Sequence, residues 1–252
     1  MKIEDIPYRR VGDQPLLGRL YAPEHPKALI VEVHGGAWTM NDRTTNAAIH
    51  QHLAAHGYAV FALDFRMAPA HPFPAALEDV NEGIRWAKAN LNPGRIGGIG
   101  TSSGGYLIAL SALRADEQTK LEFVIGCWPI LDPLARYRMA RAKGLKNLVD
   151  AHHAFFRNEA QMTQSNPQLL LERGEQARLP PMLVLQGTAD ENVEHHRADA
   201  FVERYRAAGG DIALEKFEGQ PHTFIPKDPA SAASRRALAR MVDFLQKLKN
   251  AA

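Results

Sequence analysis

The chain has 252 residues, 45% apolar and 23% charged, with a formal net charge of +2. That balance excludes a disordered or fibrous chain, and so small a net charge argues against nucleic acid as the main partner. No stretch approaches the roughly 20 consecutive apolar residues needed to cross a bilayer, so no membrane partner is expected.

In chain order, residues 3–22 read as an antiparallel hairpin. Ala28 to Val33 is the first strongly apolar strand, residues 44–56 the first helix, and Tyr58 to Leu63 the next strand. After the proline-rich turn Pro69 to Pro74, residues 75–90 place Leu77, Val80, Ile84 and Ala87 at helical spacing. Arg95 to Ile99 then reads as a strand and Gly105 to Leu110 as the start of a helix. Leu121 to Cys127 and Met182 to Leu185 give two more strands. Residues 194–208 form a helix, Ile212 to Phe217 the last strand, and residues 229–249 a closing helix. Alternating strands and helices predict the α/β class: a mostly parallel eight-stranded sheet with helices on both faces, in one domain spanning 1–252. Residues 132–178 break the rhythm with short helical patterns and no strand, which points to a small helical cap insertion.

The N-terminal Met1 to Pro7 carries acidic residues and a proline where a secretory leader would be basic and then apolar. The single cysteine, Cys127, excludes an internal disulfide and, within the apolar run Phe123 to Trp128, reads as a buried thiol. Both features fit a cytoplasmic location. The basic run Arg136, Arg138, Arg141, Lys143 and Lys146 reads as a solvated helix face, with an anionic substrate or surface as the alternative. The histidine pairs His152–His153 and His195–His196 are adjacent, so their side chains diverge on a helix and no metal site is implied. No organic cofactor is implied either. The oligomeric state is left open, a homodimer being one option.

The chemistry concentrates at four places. Gly100-Thr101-Ser102-Ser103-Gly104 joins a strand to a helix, and the glycines two residues either side of Ser102 mark a nucleophile elbow. Centring the pattern on Ser103 would put Thr101 where a glycine is required. His34-Gly35-Gly36-Ala37-Trp38 follows the first apolar strand and supplies backbone N–H groups for an oxyanion hole, assigned to Gly36, Ala37 and Ser103. His34 reads as a brace for that loop. The strand Pro181 to Gly187 ends in a turn carrying Asp190, with Glu191 the one-residue alternative; Glu194 and Asp199 fall into the next helix. His222 lies in a Gly/Pro loop and is the one among 11 histidines that follows the final strand. A serine hydroxyl is too weakly acidic to attack a carbonyl unaided, so His222 takes its proton and Asp190 fixes the imidazole tautomer. The order Ser102, Asp190, His222 is the one such a sheet imposes on a catalytic triad.

These residues resemble the serine carboxylesterases of the α/β-hydrolase superfamily, in the hormone-sensitive-lipase-like and kynurenine-formamidase-like branches. The resemblance covers 28–225 and includes Leu63 to Pro69 and Pro72 to Asp79. It implies an architectural role for Asp64, Arg66 and Asp79. Ala37 departs from the third glycine usual in the first branch, and Ala70 from its acidic residue; Trp38 is similar to the second branch. The long N-terminal cap of many lipase-like members is absent, which disfavours a large lipid.

The expected activity is hydrolysis of small acyl or aryl carboxylic esters through an acyl-Ser102 intermediate. An arylformamidase-type amidase is the alternative, and a non-catalytic binding member of the fold a further one. A dehalogenase or epoxide hydrolase would need a carboxylate at position 102. Trp38, Trp128, Tyr137, Phe155 and Phe156 are the candidate substrate-pocket walls, although the cluster around Phe155 and Phe156 could equally be the cap's own small core.

Overall fold

A computed structural model describes residues 1–250, with side chains through 248. Strands β1 (Lys2–Val11), β2 (Gln14–Ala22), β3 (Leu29–Val33), β4 (Ala59–Leu63), β5 (Ile96–Thr101), β6 (Val124–Cys127), β7 (Met182–Gly187) and β8 (Ile212–Phe217) form one eight-stranded sheet. Its order is β1-β2-β4-β3-β5-β6-β7-β8. β2 pairs antiparallel with β1 and β4, and every other pairing is parallel. The α/β reading of the sequence, with its mostly parallel sheet, therefore describes the architecture.

The central strands are mostly apolar because they are covered on both sides, and β3 through β7 are buried along their whole length. Alternation along each strand decides which side a residue serves. Val31, Val33, Phe61 and Leu63 join the core shared with α2 (Ala75–Leu91), α3 (Ser103–Leu113) and α8 (His195–Ala207). Ile30, Val60, Ile99 and Ile125 face the other way, onto α1 (Ala47–Ala55) and α10 (Ala232–Asn250). α10 meets them with Leu238, Met241, Val242 and Leu245, a stripe at i, i+3, i+4 and i+7.

Between β6 and β7 the chain runs through α4 (Pro133–Ala142), α5 (Lys146–Phe155), α6 (Glu159–Gln164) and α7 (Pro167–Arg173), with no strand among them. α7 packs between α3 and α8 and so takes the usual crossover place, whereas α4 packs on α5 and α6. Local chemistry sets these boundaries. Asp132, Asn158 and Asn166 each accept a hydrogen bond from the backbone N–H three residues on, and Pro133 and Pro167 open α4 and α7. A one-turn helix, α9 (Phe224–Lys227), follows His222 and was not anticipated from the sequence.

The loop after β4 is tied down by charge. Arg66 clasps the buried carboxylate of Asp79 through Nε and Nη2, at 2.9 and 3.0 Å, and Arg9 pairs with the same carboxylate from β1. Arg43 bridges Asp64 and Asp5. The three residues given an architectural role by resemblance thus join the hairpin, the loop after β4 and α2.

Candidate active site

β5 ends at Thr101 and α3 begins at Ser103, so Ser102 makes the turn alone, at φ 51° and ψ −115°. A positive φ on a residue with a side chain costs on the order of 1–3 kcal/mol and persists only where the surroundings impose it. Here α3 is pressed against the sheet: a Cβ on Gly104 would stand 2.0 Å from the Val33 carbonyl oxygen. The Ser102 N–H donates to the Cys127 carbonyl at 3.0 Å, which fixes the turn to β6.

The structure brings Ser102, His222 and Asp190 together. Ser102 Oγ lies 3.0 Å from His222 Nε2, and His222 Nδ1 lies 2.7 Å from Asp190 Oδ2. Burial pushes the Asp190 carboxyl upward, but its hydrogen bond to His222, the charge of that ring and the N–H groups of Val193 and Asn192 outweigh burial and hold it low. An ionised carboxylate only accepts, so Nδ1–H donates to it. In the neutral imidazole Nε2 is then the lone-pair nitrogen facing the Ser102 hydroxyl. Asp190 Oδ1 accepts from Asn192 N at 2.9 Å and Val193 N at 2.8 Å, and Gln186 Nε2 donates to Oδ2 at 3.1 Å. Glu191, the sequence alternative, makes none of these contacts.

The loop after β3 curls in front of Ser102. Gly36 has φ 117°, and a Cβ there would meet the Met40 carbonyl oxygen at 2.1 Å, so only glycine fits. Its carbonyl accepts from the N–H groups of Thr39 and Met40, while Trp38 N donates to Ser103 Oγ at 3.3 Å. No hydrogen bond among the described residues uses the N–H of Gly36 or Ala37, and both residues line the cavity beside Ser102. Ser103 is buried behind them, its N–H in the first turn of α3, where helical N–H groups lack intrahelical acceptors. His34 stacks on Phe65 at 4.3 Å and hydrogen-bonds the carbonyl of Gly35, a lining residue, without lining the cavity itself.

The cavity holds about 400 Å³ and includes Ser102, His222, Asn41, Asn46, Arg136, Asn147, Leu148 and Asn192 among its walls. None of the five candidate wall residues lines it. Trp38, Phe155 and Phe156 are fully buried in one cluster with Tyr106. Trp128 packs against the rings of His222 and Phe224 from within the core. Tyr137 is buried and hydrogen-bonds His153 Nε2 at 2.8 Å. Aromatic rings near an active site satisfied their burial against one another rather than against open space.

Sequence reading also missed the polar floor. Asn46 Nδ2 donates to Glu32 Oε1 at 2.7 Å and to Thr101 Oγ1 at 3.0 Å, and Glu32 Oε2 lies 3.0 Å from His50 Nε2, all four residues being buried. The acidic residue Glu32 inside an otherwise apolar strand was the one visible signal. Among the described residues no group of three or more His, Cys, Asp or Glu is placed to hold a metal, and no helix is long and apolar enough to cross a membrane.

An open α/β sheet with a serine, histidine and carboxylate in contact at the carboxyl ends of its strands defines a hydrolase-fold protein. A family pattern described as alpha/beta hydrolase fold matches residues 30–226, and the chain belongs to that family, in its hormone-sensitive-lipase-like branch. It is 29% identical over 251 residues to the esterase LipC of Mycobacterium tuberculosis, covering 86% of this chain and 59% of that protein. It is 26% identical to an arylesterase of Saccharolobus solfataricus, covering 86% of this chain and 75% of the relative. A hyperthermophilic esterase of Pyrobaculum calidifontis shares the fold, with a TM-score of 0.84 at 21% identity, over 98% of this chain and 86% of the other. The chain spans about half the length of the first curated relatives it matches, from 49% to 59%. These relatives give no support to the arylformamidase-type alternative.

Proposed function

We propose that this protein is a serine carboxylesterase acting on small acyl or aryl esters, with Ser102, His222 and Asp190 as its catalytic triad. The observation that carries the reading is the continuous contact from Ser102 Oγ through His222 to Asp190, 3.0 and 2.7 Å, at the wall of a cavity. In the first half-reaction His222 Nε2 takes the Ser102 proton as Oγ bonds to the ester carbonyl carbon. The carbonyl electron pair moves to oxygen, and the N–H groups of Gly36, Ala37 and Ser103 donate hydrogen bonds to that oxyanion. One such donor contributes about 3 kcal/mol to the transition state. Collapse expels the alcohol, which leaves with the proton from His222. Water then repeats the sequence on the acyl-Ser102 ester and releases the acid. Every proton moves through His222, so this chemistry needs no metal or cofactor.

The modest cavity and the four-helix crossover above it support short acyl groups over lipid chains. We read residues 132–178 as a cap within one domain. The single cysteine, Cys127, is fully buried, which supports a reducing, cytoplasmic setting. The test is labelling with a fluorophosphonate and mapping of the modified peptide, alongside hydrolysis of p-nitrophenyl acetate and butyrate. Labelling on Ser102 and loss of both signals in Ser102→Ala are expected, by a factor on the order of 10⁴ to 10⁶ in kcat. Undiminished turnover in that variant would end the proposal.

A further inference from the structure

Arg136 stands apart from the rest of the basic run. Arg138 and Arg141 pair with Glu159, Lys143 with Glu194 and Lys146 with Asp150, all on the outside of the crossover. Arg136 turns inward from α4, is 5% exposed, and lines the cavity that holds Ser102 and His222. Nε donates to the Asn192 carbonyl at 3.0 Å and Nη2 to Asn192 Oδ1, while Nη1 has no hydrogen-bond partner.

No ion pair among the described residues includes Arg136, and the cavity lining contains no Asp or Glu. Burial pushes its pKa down to about 10, opposed by the charge of Asp190, so the guanidinium stays protonated at neutral pH. A buried cation in no direct ion pair is costly, and folds retain one where an anion can complete its contacts. Asn192 occupies only one edge of the guanidinium fork. The end-on edge remains, made of one N–H from Nη1 and the second N–H of Nη2, and that parallel pair matches a planar carboxylate in bidentate geometry. A dianionic phosphate would call for a second cation, and the lining offers Arg136 alone.

We propose that the cavity selects esters bearing a free carboxylate, held by the unpartnered edge of the buried Arg136 guanidinium. This deepens the esterase reading and rests on it. Half-esters of small dicarboxylic acids carry the charge on the acyl side, and esters of small hydroxy acids carry it on the alcohol side. Asn41, Asn147 and Asn192 in the same lining supply further polar contacts for such compact, charged substrates.

Two pairs of substrates test this on the whole protein by pH-stat. Monoethyl succinate is compared with ethyl 4-methylpentanoate, and O-butyrylglycolate with isobutyl butyrate, each pair matched in shape and differing in charge. The readout is the ratio of kcat/KM, charged over neutral, within each pair. In at least one pair a ratio of ten or more is expected, falling about tenfold in Arg136→Gln. Arg136→Lys keeps the charge without the fork and should fall in between. A ratio of one or below in both pairs overturns the proposal, as does a ratio that Arg136→Gln leaves intact. Should R136Q not fold, the wild-type ratios still decide. Ser102-dependent turnover of neutral esters without charge preference would refute carboxylate selection and leave the esterase reading standing. Failure of every ester, with no labelling of Ser102, would sink the esterase reading itself.

Discussion

The indole of Trp38 lies parallel to the ring of Phe155, centroids 4.5 Å apart and planes 4° from coplanar. Trp38 belongs to the loop after β3 and Phe155 to the last turn of α5, so this stack fastens the loop that carries Gly36 and Ala37 to the helical crossover. Phe156 and Tyr106 meet the same indole edge-on at 5.4 and 5.6 Å. Offset and edge-on contacts of this kind add specific attraction to the burial of area. The placement of the proposed oxyanion donors therefore depends on the crossover as well as on the sheet.

Trp38→Ala should cost about 3–5 kcal/mol of stability, the range for a fully buried large aromatic. Chemical denaturation reads this directly. A cavity wall would behave otherwise, with the unfolding midpoint unchanged and KM alone moving.

Asp190→Asn removes the charge that orients His222 while keeping the side chain's shape. A drop in kcat on the order of 10⁴ is expected, because the amide favours the wrong imidazole tautomer. Fluorophosphonate labelling of Ser102 should slow in parallel, with the unfolding midpoint shifted far less than the rate. A variant within threefold of wild-type kcat would remove Asp190 from the triad.

Ala37 adopts φ 52°, where a side chain costs roughly 1–2 kcal/mol. Glycine would relieve that strain but loses more backbone entropy on folding, about 0.5–1 kcal/mol. Ala37→Gly should therefore be neutral or stabilising by up to about 1 kcal/mol, with ester turnover retained. A loss above about 2 kcal/mol would show that the methyl group packs usefully, against the strain argument.

Burial first, and then the charge of Arg136, pushes the His152 pKa down to about 3. Its unfolded value is near 6.5, so below that pH the unfolded chain binds a proton that the folded protein refuses. Stability is therefore greatest above about pH 6.5 and falls as the pH drops towards 3, by as much as about 5 kcal/mol from this group. His152→Gln should flatten the profile between pH 6.5 and 4. The lowered carboxylates Asp5 and Asp190 lose their contributions further into acid in both proteins. Parallel wild-type and variant curves across that window would contradict the assignment.

Much of this fold was legible because its signals are local. The apolar runs at Leu29–Val33 and Ala59–Leu63, the glycines around Ser102 and the helical spacing across residues 75–90 state their geometry within a few residues. Boundaries drifted by up to three residues, as at the starts of α1, β6 and α10, and α9 escaped because one turn of helix has no period to read. The meeting of Ser102, Asp190 and His222 was foreseeable from chain order, since a parallel sheet delivers the ends of β5, β7 and β8 to one rim.

The sequence by itself determined the sheet, the elbow and the order of the three proposed triad side chains, since steric rules at glycine, proline and alternating apolar residues act over short stretches. Only the tertiary structure decided that Trp38, Phe155 and Phe156 turn into the core while Arg136 turns into the cavity. A helix offers several faces, and the face that meets a loop about a hundred residues earlier is set by packing across the whole molecule. No local pattern in residues 132–178 encodes that choice.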